Sequence, residues 1–548
     1  MTSLRPAVLA CLWIAAIVAA GYHGYVQARA LGLAEPMGMW DTNYVALARV
    51  WPHQYQAGRY VEGFDPYGPG YPTFVRPFLR AMRDPYVAHR VANFAALAAA
   101  CLMLALVLRA NRCPAGITAG LVALYYALQA GSYSIQARPD FLVAGEIIAL
   151  LALGQPAIRA RFHPVVFALI FGALALAAYL TKPYTLLACA VVILHGLWFG
   201  PRRPGGWTAL LGGAILAGGV AAFARANPYY LFEAFLSHIA KPENDGAWFL
   251  HQWRDFALLS FAAVVLGAIS VAREARHFRS RFPGALWHPE PADTATGYWS
   301  LAAAAGFVAL LGPPGWRIGA YLTYHFHLLL PPLLVLAGLG CRPAPGSGAH
   351  ASARRPWREL LLAANLAVVV AVAPAPPPPD PAWNDLVDDI HRQPGPLVLD
   401  FILEPLAQGR SDVTLLGSGI TAVALVEPGV FKEPTPLARQ AQAEVAAFEA
   451  RVKRDAFGGT PPQAIYLEVS WVATAHGLQP APRGGLAYLL ADHLAEYRVA
   501  RTFRIHPFYF STNAPRSQAG TWASDILKLV RLPPSPSPPP DGSSPHRD

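Results

Sequence analysis

Trp40-Asp41-Thr42-Asn43-Tyr44 opens, and Tyr67-Gly68-Pro69-Gly70-Tyr71-Pro72 closes, a polar and aromatic loop set between two long apolar runs. Such a loop belongs to a chain that crosses lipid repeatedly, and the composition agrees. Of 548 residues, 54% are hydrophobic and only 14% charged, with a mean hydropathy of +0.32. That much apolar surface cannot be hidden inside one water-soluble globule, so lipid must act as solvent for part of it. The cysteines, Cys11, Cys101, Cys113, Cys189 and Cys341, lie in or beside apolar runs. This pattern supports neither a disulfide framework nor a cysteine zinc site. The 43 Lys and Arg outnumber 33 Asp and Glu, but many of the basic residues sit in short loops between spans. They report helix orientation before they report a nucleic-acid partner.

Working outward from the loop, stretches able to cross about 30 Å of hydrocarbon fall near 7–26, 88–108, 117–135, 141–157, 164–181, 185–200, 207–224, 256–272, 298–314, 325–341 and 359–376. The predicted fold class is an α-helical polytopic membrane protein of about eleven spans, with a soluble α/β domain at its C-terminal end. Loops bearing Arg109 and Arg112, Arg159 and Arg161, Arg202 and Arg203, Arg273 to Arg281, and Arg342 to Arg358 fall on alternate sides of successive spans. The positive-inside rule makes them cytoplasmic. The N-terminus is then inside, and 27–87, 136–140, 182–184, 225–255, 315–324 and everything after 377 face the periplasm of a bacterial cytoplasmic membrane.

The proline run from Pro374 to Pro381 cannot continue a helix and reads as a stiff spacer. Beyond it, strand-like runs (397–403, 413–416, 464–470, 498–505) alternate with helix-like ones (437–452, 486–496), as in a small α/β domain. The expected organisation is a membrane domain over 1–376 with outer loop 27–87, a proline-rich linker over 377–382, a periplasmic α/β domain over 383–532, and a disordered Pro/Ser-rich tail over 533–548. Gly417-Ser418-Gly419-Ile420-Thr421-Ala422 fits a loose dinucleotide fingerprint but reads better as a tight turn.

Five charges, Asp41, Arg138, Asp140, Lys182 and Arg317, sit at expected outer ends of spans, where burial in lipid costs less than at mid-helix. Topology alone assigns them to one face. Asp41 can take a proton from a hydroxyl or hold a divalent ion; it also suits a helix N-cap. Arg138 suits a phosphate, with Asp140 orienting it, and an Arg138–Asp140 ion pair is the structural alternative. Lys182, before Pro183 and Tyr184, is either a phosphate ligand or a snorkelling cation. Glu146 lies inside a span and must be protonated, paired or facing a cavity, with a helix–helix hydrogen bond the preferred reading. His325 and His327 stand two residues apart, which on a helix points them in different directions and disfavours metal binding.

In order and spacing these features resemble the multi-spanning glycosyltransferases of the GT-C fold, which include protein O-mannosyltransferases and lipid A aminoarabinose transferases. The likeness covers roughly 7–340. It rests on Asp41 followed by Tyr44, the turn from Tyr67 to Pro72, Arg138-Pro139-Asp140, Thr181-Lys182-Pro183, and the Tyr-rich approach (Tyr321, Tyr324) to a span with Pro331 and Pro332. Thr42 stands where many members carry a second acid, which puts a two-carboxylate or metal-dependent mechanism there in doubt. The resemblance implies transfer of a sugar from a polyprenyl-phosphate carrier to an envelope glycan, lipid or protein acceptor, with Asp41 as general base. Arg138, Asp140, Lys182 and Arg317, with Tyr44, Tyr67, Tyr71 and Tyr324, would bind the donor and its phosphate. No cofactor is required, a divalent metal is possible but not supported, and the partners are the donor, the acceptor and membrane lipid, with no nucleic acid. The rival readings are a transporter or flippase of lipid-linked glycans and a non-catalytic envelope assembly factor.

Overall fold

The computed structural model describes residues 68–133, 139–199, 204–226, 246–281, 295–312, 325–342, 357–372, 381–407, 409–416, 436–474, 477–482, 495–504 and 524–533, and ten single residues: Ile14, Val18, Gly21, Gly24, Tyr44, Val45, Leu47, Ala48, Arg49 and His493. The helices are α1 (Gly70–Ala81), α2 (Pro85–Ala110), α3 (Ala115–Tyr133), α4 (Asp140–Gly154), α5 (Pro164–Thr181), α6 (Leu186–Phe199), α7 (Pro204–Ala226), α8 (Gly246–Leu259), α9 (Phe261–Arg281), α10 (Ala295–Leu311), α11 (Leu330–Gly340), α12 (Trp357–Val372), α13 (Pro381–Arg392) and α14 (Pro436–Phe457).

Local chemistry sets their ends. Asp84 accepts from the Val87 N–H at 2.9 Å and Pro85 fills the first helical position, where a missing N–H costs nothing. At the far end Arg112 takes φ +56°, and the left-handed residue stops α2. Pro183 removes a donor and disfavours a helical residue before it. Lys182 is accordingly extended at φ −156° and ψ 122°, and α5 ends at Thr181.

By length and apolarity, Pro85–Ala110, Pro164–Thr181 and Gly206–Ala226 can each cross a bilayer, and Phe249–Leu259 with Phe261–Ala275 makes a fourth if that bent pair is one span. Shorter helices stand at the positions of the other expected spans from 115 onward. Leu102, Leu169, Leu194, Trp207 and Val308 lie open on the faces of α2, α5, α6, α7 and α10. A belt of this kind is tolerable only against lipid. Helix α4 is the axis of the bundle. Phe141, Val143, Ile147, Ile148, Leu150 and Leu151 are all buried, because α2, α5 and α6 pack around it. One end of the bundle is tied by amides: Asn111 and Gln155 exchange two hydrogen bonds of 3.0 Å. Trp299 donates to Gln155 at 3.1 Å, and Arg342 donates to Asn111 at 3.1 Å.

The expected span near 256–272 is broken instead, bent by 78° between α8 and α9. Asn365 on α12 makes the break affordable. Its Oδ1 accepts from the Ala262 N–H at 2.9 Å, and its Nδ2 donates to the Leu259 carbonyl at 2.7 Å. Backbone groups freed inside lipid need such partners.

The C-terminal region builds a six-stranded sheet from β1 (Leu397–Leu399), β2 (Val413–Leu415), β3 (Ala464–Thr474), β4 (Gly477–Pro482), β5 (Tyr497–Arg504) and β6 (Ser524–Arg531). Its order is β2-β1-β3-β6-β5, with β4 paired to the far half of β3. Strands β1, β2 and β3 run parallel, and β3, β6 and β5 antiparallel. The period of two sorts the side chains: Leu397, Leu399, Ala464, Tyr466 and Ile526 join the core beneath α13, while Val398, Ile465, Leu467 and Leu529 join the one beneath α14. The strand expected over 397–403 stops at Leu399, and 401–407 is a 3-10 turn. Pro405 has no N–H for a ladder. The helix expected at 486–496 and the turn at 417–422 lie almost wholly outside the described residues.

Replacing Asn365 with Leu keeps bulk but abandons two backbone groups at the α8–α9 break. The expected cost is about 1–3 kcal/mol for each, read as a lower unfolding temperature in detergent. Unfolding at the wild-type temperature would show that the break does not depend on Asn365.

Candidate active site

Four elements bring polar side chains together at the end of the bundle away from the amide tie. The first is the start of α1. A Cβ on Gly70 would stand 2.7 Å from the Thr181 backbone nitrogen, so only glycine lets α1 lie on the end of α5. Tyr71, one residue on, is buried, and its hydroxyl lies 3.1 Å from His89 Nδ1 on α2. Tyr44 packs edge-on against the Tyr71 ring at 5.7 Å. The first turns of α2 add Arg90 and Asn93, both buried with His89.

The end of α5 and the start of α4 complete the cluster. Thr181 Oγ1 lies 2.9 Å from Glu146 Oε1, the helix–helix hydrogen bond that the sequence favoured for Glu146. Lys182 Nζ forms an ion pair with Asp140 Oδ1, and their side chains are only 1% and 3% exposed. The Tyr184 ring stands 5.5 Å from the same ammonium. Asp140 occupies the first turn of α4, where the helix dipole also favours negative charge. One correction follows. Lys182 does not snorkel to water, because the Pro183 break turns it back into the bundle. Asp140 pairs with Lys182, a residue 42 positions away; Arg138, the partner weighed from sequence, lies outside the described residues.

Of the residues singled out from sequence, the structure therefore places Asp140, Lys182, Tyr44 and Tyr71 at one end of the bundle. Asp41, Tyr67, Arg138, Arg317 and Tyr324 lie outside the described residues. Sequence reading passed over His89, Arg90 and Asn93. Their signal was a polar face recurring at helical spacing on an otherwise apolar run. Among the described residues no three His, Cys, Asp or Glu side chains converge as metal ligands.

The C-terminal sheet sits against the same end. Trp383 of α13 meets Tyr86 of α2 edge-on at 6.0 Å. Arg49, on the helical turn that carries Tyr44, stands 2.9 Å from the Glu404 carboxylate. Burial pushes the Glu404 carboxyl above its usual range, and the Arg49 guanidinium pulls it back.

No family model matches the sequence, and no curated protein matches it. Solved structures do. ArnT from Cupriavidus metallidurans bound to undecaprenyl phosphate aligns with a TM-score of 0.52 at 14% identity, over 94% of this chain and 98% of that one. Its apo state gives 0.50 at 15% identity, over 95% and 98%. The chain has the GT-C fold. Arabinofuranosyltransferase AftD from Mycobacteria aligns at 0.46 and 12% identity, over 95% of this chain and 40% of that one. At such identities the GT-C likeness describes architecture alone.

Two tests arise here. Removing one partner of a buried pair strands the other charge, at a cost of about 3–5 kcal/mol. Asp140→Asn and Lys182→Met are each expected to lower the unfolding temperature sharply, while the double variant recovers most of the loss; additive losses would mean the two do not act as a pair. Arg49→Met should destabilise by about 1–3 kcal/mol at neutral pH. Without the guanidinium, the Glu404 folded-state pKa rises further above its unfolded value. The penalty then belongs to the ionised form, so it should shrink as pH falls through that pKa. A penalty independent of pH would rule out the carboxylate as its source.

Proposed function

We propose that this chain transfers a sugar from a polyprenyl-phosphate carrier to an envelope glycan, lipid or protein acceptor at the outer face of a bacterial cytoplasmic membrane. The observation that carries the reading is the buried Lys182–Asp140 pair at the mouth of a GT-C bundle whose architecture matches ArnT in its undecaprenyl-phosphate complex. A polyprenyl carrier needs an apolar flank for its chain and fixed cations for its phosphate. The exposed apolar belt and the clustered charges are what such a ligand calls for.

In this mechanism the Asp41 carboxylate takes the proton of the acceptor hydroxyl as that oxygen bonds to the anomeric carbon. The bond from that carbon to the carrier phosphate breaks through an oxocarbenium-like state, and the electron pair leaves on the phosphate. Lys182, with Arg138 and Arg317, receives the growing charge in a site where little solvent has to reorganise. Asp140 holds Lys182 in place between turnovers. Tyr44, Tyr67, Tyr71 and Tyr324 flank the sugar and the start of the lipid. Phosphate is a good leaving group, so no general acid is required.

Purified protein in liposomes, given radiolabelled polyprenyl-phosphate sugars and candidate acceptors, is the direct assay. Asp41→Asn is expected to lower transfer by at least about 10²-fold with an unchanged unfolding temperature. Full activity in that variant would remove Asp41 as the base.

A further inference from the structure

Away from the cluster just described, α2 and α3 do not close against each other along their outward sides. Between them runs a groove of about 570 Å³, within the range of about 300–1,000 Å³ that suits a small ligand. Small residues make it: Ala105 on α2 faces Ala119 and Ala123 on α3, with Tyr126 at one end and Arg109 at the other. Leu102 and Leu106 are exposed beside it on α2, so it opens toward the lipid-facing side.

Two polar features give this slot a direction. Thr118 lines it, is only 6% exposed, and its hydroxyl has no hydrogen-bond partner among the described residues. A buried hydroxyl without a partner is costly, and an acceptor brought by a ligand relieves that cost. Arg109 Nη1 donates to the Cys113 carbonyl at 2.7 Å. That bond fixes the guanidinium at the mouth, and among the described residues no carboxylate pairs with Arg109. Arg112 is exposed close by. A cation at the end of α2, a hydroxyl donor in the first turn of α3 and an apolar slot beyond it form one series. It matches the phosphate, ester carbonyl and acyl chain of a membrane phospholipid.

We propose that this groove is a binding site for one anionic phospholipid. Its phosphate sits on Arg109, a glycerol ester carbonyl accepts from Thr118, and one acyl chain lies between Ala105 and Ala123 as far as Tyr126. The site stands at the Arg-bearing end of the bundle, opposite the Lys182–Asp140 end, and does not depend on the transferase reading. The polyprenyl carrier is the competing occupant.

Native mass spectrometry of the delipidated full chain, titrated with phosphatidylglycerol and with phosphatidylcholine of equal chain length, tests this. The wild-type chain is expected to retain one phosphatidylglycerol at least about tenfold more tightly than phosphatidylcholine. Ala119→Leu, which fills the slot, is expected to abolish that retained lipid. Thr118→Val keeps the shape and is expected to weaken it by about three- to tenfold, so it decides the matter even if the filled variant fails to fold. Arg109→Gln is expected to remove the preference for the anionic headgroup. Equal retention of the two lipids by the wild-type chain, or undiminished retention by Thr118→Val and Ala119→Leu, would overturn the site. Displacement of phosphatidylglycerol by undecaprenyl phosphate at equal concentration would overturn its assignment to a phospholipid.

Discussion

The α5 helix stops just before Pro183, and most of what distinguishes this bundle follows from where that interruption falls. The residue before the proline is Lys182, which the break forces into an extended conformation at the end of α5. An ammonium there has lost its helix and most of its water together. Only a carboxylate at contact distance makes that arrangement tolerable, and Asp140 supplies it from the first turn of the central helix. The pair sets how α5 meets α4. Gly70 and Tyr71 complete the fit by letting α1 lie on the same corner.

The two ends of the bundle solve the same problem with different chemistry. At one, amides and an indole share hydrogen bonds around Gln155, with the Arg342 guanidinium donating to Asn111. These are satisfied in place and have no reason to exchange partners. At the other end the polar groups are ionic, and an ion pair can accept a third charge where an amide pair cannot. In the proposed reaction, a phosphate arriving beside Lys182 would gain a cation already desolvated and oriented, at the expense of part of its attraction to Asp140. Because the pair is dry, that exchange is worth far more than it would be in water.

Much of the bundle was legible because lipid imposes a simple code of apolar runs and basic loops. The runs near 88–108, 164–181 and 207–224 correspond to α2, α5 and α7 within a few residues. Composition could not show the break at Ser260, since the residue that permits it, Asn365, lies over a hundred positions away on another helix. The same holds at the site. Topology placed Asp140 and Lys182 on one face, but that the two meet as a pair is a matter of packing, which neither residue's sequence neighbourhood displays. His89 and Arg90 were hidden by the opposite error: they sit inside an apolar run, where a polar residue is easily read as an interruption rather than as part of a face. In the sheet region, alternation revealed β3 and β5 but not β4, whose Gly-Leu-Gln-Pro-Ala-Pro run has the composition of a loop. It is a strand because β3 offers it an edge.

The sheet itself bears on the site through the turn that carries Tyr44. That turn is held on one side by the Tyr71 ring and on the other by Arg49 reaching Glu404, 355 positions away. Trp383 against Tyr86 fastens the same layer to α2. The turn's position relative to the bundle is set by the surfaces that clamp it. A shift of the C-terminal layer would therefore move the segment bearing Tyr44 relative to Lys182 without touching either residue. This ties the C-terminal sheet to the geometry of a buried charge pair at the end of the bundle, and it is the reason the two parts of the chain are better read as one working unit than as a bundle with an independent appendage.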